Sequence, residues 1–163
     1  MTVRRGGTLS GSGDTAGPVT LHAGGAIVPG DPVTLTFEND LTWDGGSFIR
    51  LALGPDQAGS DRLNIGGAFI RGDTSGGAFT FEVQDFGAVV GQTYDFLHFS
   101  SIQDFTAADF TFTGVVTGNL FIDDGNLGVV VTSVPEPGGI WLLCFASTLL
   151  LGLRRRHPRG HCG

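Results

Sequence analysis

Lysine is absent from this 163-residue chain, and all nine of its basic residues are arginine. Residues 1–137 hold five of them (Arg4, Arg5, Arg50, Arg62 and Arg71) against all 16 acidic residues, a net charge of −11. Phosphate contacts require a basic face, so this stretch argues against nucleic acid as a partner. Its charge suits an exported domain that repels its own copies. Glutamate is scarce: Glu38, Glu82 and Glu136 are the only three, and no two lie close enough in sequence to suggest a glycosidase pair. The 13 aspartates give no basis for choosing one instead. Phosphate-binding loops and dinucleotide fingerprints are missing as well. The two cysteines, Cys144 and Cys162, leave residues 1–143 without any disulfide. Cys144 reads as a small hydrophobe in an apolar run. After Met1-Thr2-Val3-Arg4-Arg5-Gly6 there is no apolar stretch of about 7–15 residues such as a secretory signal carries. The pair Arg4-Arg5 makes no twin-arginine signal without one. A truncated N-terminus is the expectation.

What is abundant points to strands. Glycine is 28 of 163 residues and phenylalanine 13, and a disordered chain would be poorer in aromatics and richer in charge. Residues 7–133 alternate apolar and polar with a period of two. Val33, Leu35 and Phe37 do so, as do Ile49, Leu51 and Leu53, then Phe79, Phe81 and Val83, then Phe110 and Phe112, then Val129 and Val131. Turn signals separate them: Pro29-Gly30-Asp31, Asp44-Gly45-Gly46, Gly72-Asp73, Gly76-Gly77 and Asp124-Gly125-Asn126. No helical stripe is evident before Pro135, although Gln103–Asp109 has room for one turn. Phe37, Phe79, Phe81, Phe110 and Phe112 are the expected core.

A repeat is visible in this region. Asp61-Arg62-Leu63-Asn64-Ile65-Gly66 is echoed by Asp95-Phe96-Leu97-His98-Phe99-Ser100, and Gly77-Ala78-Phe79-Thr80-Phe81 by Ala108-Asp109-Phe110-Thr111-Phe112. Repetition on this scale suggests stacked coils, each covering the next one's apolar face. The expected fold class is all-β, a short right-handed parallel β-helix, with a β-sandwich as the alternative. Segments Gly24–Leu41 and Gly91–Phe99 are loosely similar to glycine-rich β-helical stretches of autotransporter passengers.

The search for chemistry yields little. Gly72-Asp73-Thr74-Ser75-Gly76-Gly77 is similar to the nucleophile loop of chymotrypsin-like proteases. Thr74 interrupts that motif, however, and His22 stands in Thr20-Leu21-His22-Ala23, outside the family's histidine context. A glycine-rich turn with a serine is the better reading of the loop. His98 is a face residue on an alternating strand, and one base without a nucleophile makes no site. His157 and His161 lie in the basic tail, far from other ligands. Asp123, Asp124 and Asn126 are calcium candidates, as is Glu38-Asn39-Asp40, because they offer loop oxygens. Asp and Asn build turns through their own side chains without any metal. No cofactor is expected. A sugar-binding role would rest on Trp43, Tyr94 or exposed phenylalanines stacking on sugar rings.

The C-terminal tail is more informative. Val134-Pro135-Glu136-Pro137-Gly138-Gly139 precedes an uncharged run from Ile140 to Leu153, then Arg154-Arg155-Arg156. The run includes Trp141, Leu142, Leu143, Leu149, Leu150 and Leu151, and is apolar all round, unlike an amphipathic core helix. As a helix it spans about 21 Å, short of the bilayer's roughly 30 Å, a gap that flanking glycines and snorkelling arginines narrow. Arg154, Arg155 and Arg156 would stay on the cytoplasmic side, leaving the acidic region outside.

These three parts in this order resemble the PEP-CTERM sorting signal. The resemblance covers roughly 26 residues, 134–159, and implies a single transmembrane helix with processing at Val134, Pro135, Glu136 and Pro137 by an exosortase, a membrane-embedded cysteine protease. Pro135 and Pro137 block regular helix and strand pairing, so an extended segment is left for the protease. The expected organisation is a β body over 1–133, a sorting signal over 134–159 and a tail over 160–163. The expected role is a non-catalytic surface or matrix protein, with a carbohydrate-binding or adhesive module as the alternative. Its partners would be the exosortase, the lipid bilayer and exopolysaccharide. It would reside first in the inner membrane and then in the envelope or extracellular matrix.

Overall fold

The computed structural model describes residues 1–30 and 33–134. The fold is all-β. No α-helix occurs among the described residues, and the single helical turn is a 3₁₀ turn at Ala107–Asp109, inside the stretch with room for one. The segments Pro135–Pro137, Ile140–Leu153 and Arg154–Arg156, together with Cys144, Cys162, His157 and His161, lie outside the described residues.

The strands form three rows. The first contains β1 (Thr2–Val3), β4 (Val19–Leu21) and β7 (Leu41–Trp43). The second contains β2 (Thr8–Gly11), β5 (Ala26–Pro29), β8 (Phe48–Leu53), β10 (Phe79–Asp85) and β12 (Phe110–Gly114). The third contains β3 (Gly13–Thr15) and β6 (Thr34–Phe37). Two long strands, β9 (Arg62–Arg71) and β11 (Thr93–Gln103), begin in the third row and end in the first. The hairpin of β13 (Thr117–Asp123) and β14 (Asn126–Ser133) closes the stack on β11.

Among the described residues, only the two ladders made by β14 are antiparallel. All others are parallel, so the chain visits each row in turn and returns one strand further on. An antiparallel sandwich would have the opposite pattern.

The register explains the side-chain choices. Leu9, Ile27, Ile49, Phe81 and Phe112 occupy one position on five successive strands. The middle three are fully buried, while Leu9 and Phe112 are only partly covered, because each end strand lacks a neighbour on one side. Leu35, Leu63, Leu97 and Leu127 form a second buried file. The sequence repeat is this register: Leu63 pairs with Leu97, Ile65 with Phe99, Phe79 with Phe110 and Phe81 with Phe112.

Later coils are longer and enclose rings. Trp43 packs against Phe69, Phe79, Phe81, Phe105 and Phe110, with centroids 5.0–6.2 Å apart. These separations suit offset and edge-on aromatic packing. Of the five expected core phenylalanines, Phe37, Phe79, Phe81 and Phe110 are buried. Phe112 is the exception, for the end-strand reason given above. The described core runs from Val3 to Val131, with Val134 packed at its edge.

Candidate functional site

Residues that point inward on the third row leave their neighbours pointing out. Thr36, Asn64, His98 and Asn126 occupy one outward file across β6, β9, β11 and β14. Thr34 and Arg62 form the next pair along the same face. A groove of about 330 Å³ opens here, lined by Thr34, Arg62, Asn64, Asp95, His98 and Asn126 over Leu63 and Phe96.

Its geometry is set by hydrogen bonds. His98 Nδ1 lies 3.0 Å from Asn126 Oδ1, which fixes the ring against the hairpin. Gln57 clamps the backbone of Asp95, accepting its N–H at 2.8 Å and donating to its carbonyl at 2.9 Å. A β-bulge between Asp95 and Leu97 turns Phe96 inward. Bulges often re-aim side chains in this way. Arg50 and Arg71 are each paired with a carboxylate, whereas Arg62 makes no ion pair among the described residues. The groove thus gathers a guanidinium, two amides, an imidazole and a carboxylate, a set able to bond hydroxyl and carboxylate groups. Sequence reasoning singled out His98 and Asn126 but missed Arg62, Asn64 and Asp95. The signal was present, since 62, 64 and 98 are outward positions of the recognised repeat.

A second polar cluster joins residues far apart in sequence. His22 Nδ1 lies 2.6 Å from Asp44 Oδ2, and Asp44 Oδ1 accepts the N–H of Asp73 at 2.9 Å. This brings His22 to the corner that carries the Gly72–Gly77 loop. Ser75, however, donates its hydroxyl to Asp73 at 2.7 Å and its N–H at 2.9 Å. These two bonds hold the Asp73 carboxyl below its ordinary range, the backbone bond contributing most. The serine is committed to its own turn. The glycines serve packing: a Cβ on Gly46, at φ +78°, would collide with the Gly76 carbonyl.

The calcium candidates at 123–126 have turn roles, and Asn39 and Asp40 bond the backbone of neighbouring segments. Asp123 pairs with Asn126 across the hairpin, and the residues between them, Asp124 and Gly125, have φ of 41° and 78°. Positive φ at both central positions is the demand of a type I′ hairpin turn. Asn126 Nδ2 also donates to the Asp124 carbonyl. Asn39 donates to the Ala16 carbonyl, and Asp40 accepts the Ala68 N–H at 2.7 Å. Among the described residues no group of three His, Cys, Asp or Glu could hold a metal ion.

Sugar stacking on Trp43 or Tyr94 does not fit, because both are fully buried. Trp43 donates its indole N–H to Ser47 Oγ at 2.6 Å, and the Tyr94 hydroxyl bonds Gly54 and Val89. Of the expected sorting residues, Val134 is half-buried against the core, and no helix among the described residues is long and apolar enough to cross a membrane. Compared with protein-family models, curated proteins and solved structures, the chain finds no match in any of the three.

Proposed function

We propose that this chain is a non-catalytic exported protein of the cell surface or extracellular matrix, sorted and cleaved by an exosortase. The observation that carries the reading is one of order. The last strand ends at Ser133, Val134 packs at the core's edge, and the next residues are Pro135-Glu136-Pro137. A protease reaching that motif meets a segment just past the folded core, followed by the uncharged run and three arginines. On this reading the tail holds the body outside the inner membrane until cleavage releases it to the envelope or matrix.

The body would be a right-handed parallel β-helix. Parallel ladders in three rows support the solenoid, and the right hand follows the rule for parallel crossovers. The polar clusters are compatible with a non-catalytic role: His22 bonds Asp44, and the Ser75 hydroxyl is bound to Asp73. Replacing Glu136 by Ala, or Pro135 and Pro137 by Ala, should leave the protein at full size in the inner-membrane fraction. Normal processing of these variants would refute the reading.

One observation favours a carbohydrate-binding role beside it. The groove of Arg62, Asn64, Asp95, His98 and Asn126 offers hydroxyl-matching groups without an aromatic platform. Titration with acidic and neutral oligosaccharides should show binding that Arg62→Ala and Asn64→Ala each weaken about tenfold, the loss of roughly one hydrogen bond. Unchanged affinity in both variants would remove the groove from consideration.

A further inference from the structure

Apart from Met1 on the first strand and the marginally exposed Val130, the exposed large apolar side chains among the described residues lie close together. Phe86, Val89, Val90 and Val115 are 46–55% exposed, and all belong to the last coils. Hydrogen bonds and register place them around one point. Gly91 donates its N–H to the Val131 carbonyl at 2.9 Å, and Val131 donates to the Gln92 carbonyl at 3.0 Å. The loop carrying Val89 and Val90 therefore lies against β14 three residues before Val134. Gly114 pairs with Val83, which sets Val115 beside the strand that leads into Phe86. Thr117 pairs with Ser133, so Val115 also neighbours the end of β14. The four side chains surround the place where the chain leaves the body.

Charge is sparse at the same corner: Asp85, next to Phe86, has its Oδ1 bound by the N–H groups of Gly87 and Ala88 at 2.9 Å. Residues 86–94, 110–122 and 125–134 contain no acidic residue, lysine or arginine. The acids of the β13–β14 hairpin, Asp123 and Asp124, sit at its turn, the opposite end. At about 3.3 Å per residue that turn is roughly 20 Å away. An otherwise acidic body thus has an apolar corner at its exit, with the Asp85 carboxylate at its edge.

We infer that this corner rests on the surface of a lipid bilayer, an inference that depends on the tail reading above for what brings it there. Only five residues, 135–139, separate Val134 from the uncharged run. Fully extended they reach about 17 Å. A tail inserted from Ile140 onward holds this corner within that distance of the headgroups. Phe and Val side chains there can enter the boundary between headgroups and acyl chains. Four partly exposed residues give weak binding by themselves. Tethering supplies the effective concentration that makes the contact persist. Cleavage at Pro135-Glu136-Pro137 removes the tether, so the same corner lets the body go after processing. With no arginine or lysine nearby, the contact needs no anionic lipid and resists salt.

The test reconstitutes the full chain in phosphatidylcholine vesicles and activates a hydrophobic carbene reagent dissolved in the bilayer. Mass spectrometry should find label on peptides containing Phe86–Val90 and Val115, unchanged at high salt, and none on the Asp123–Asn126 turn. Substituting Phe86→Ser, Val90→Ser and Val115→Ser should abolish the body label and keep that on Ile140–Leu153, with circular dichroism unchanged. An unlabelled corner in the native chain overturns the inference, whether a second copy or the tail itself covers it. A labelled corner beside an unlabelled Ile140–Leu153 supports the inference and refutes the membrane anchor instead.

Discussion

Oδ2 of Asp44 lies 2.6 Å from Nδ1 of His22 on the preceding coil, while its other oxygen receives the N–H of Asp73 on the following one. One carboxylate therefore ties three coils at a corner where the strand ladders have ended. Replacing Asp44 by Ala removes the acceptor of the exposed Asp73 N–H and should cost about 0.5–1.5 kcal/mol. Asn at this position keeps an acceptor and should cost less. Denaturant unfolding of residues 1–134 would measure both. Equal stability of Asp44→Ala and the native body would show that the corner is held by packing and by its backbone hydrogen bonds, such as Asp44 N–H to Leu21 and Gly72 N–H to Trp43.

Position along the stack should grade the value of a phenylalanine. Phe81 is fully buried among Trp43, Phe96 and Phe110, whereas Phe112, its ladder partner, has no further coil over it. Phe81→Ala should cost about 3–5 kcal/mol, the usual loss for a buried ring, and Phe112→Ala clearly less. Equal losses in the same unfolding measurement would contradict this end-strand effect.

The Asp109 carboxylate accepts the backbone N–H and the hydroxyl of Thr106 at 2.7 and 2.8 Å and pairs with Arg71 at 3.1 Å. The Thr106 N–H is the largest influence and the Arg71 charge the smallest, and together they hold the carboxyl below its ordinary 3.8. A pKa lowered by folding stabilises the charged, folded form. Its contribution is complete above pH 3.8 and disappears as pH falls through the lower folded-state value. Asp109→Asn should therefore destabilise the body at neutral pH, with the difference shrinking in acid below that window. Thermal melts of both proteins across pH would check it. A constant difference at all pH values would show that shape at this position matters and charge does not.

Much of the fold is written in the alternation and in the repeat, because each buried file demands one apolar residue per coil at a fixed register. Leu63 and Leu97 resemble each other because they are neighbours in space. The groove was less legible. Arg62 and Asn64 are ordinary outward positions taken singly, and only the register brings them to His98 and Asn126. The fate of Trp43 was hidden as well. An indole can stack on a sugar or fill a core, and the choice depends on Phe69, Phe105 and Phe110 closing over it from later coils.

The central claim is that the tail after Val134 directs processing, and the most direct measurement compares the mature protein in two hosts. Epitope-tagged protein is expressed in a strain that has its exosortase and in an isogenic strain that lacks it, and each is fractionated and sized. The account predicts a shorter, released product in the first strain and a full-length, inner-membrane product in the second. Equal mature size in both strains would contradict exosortase processing and reduce the tail to a plain anchor.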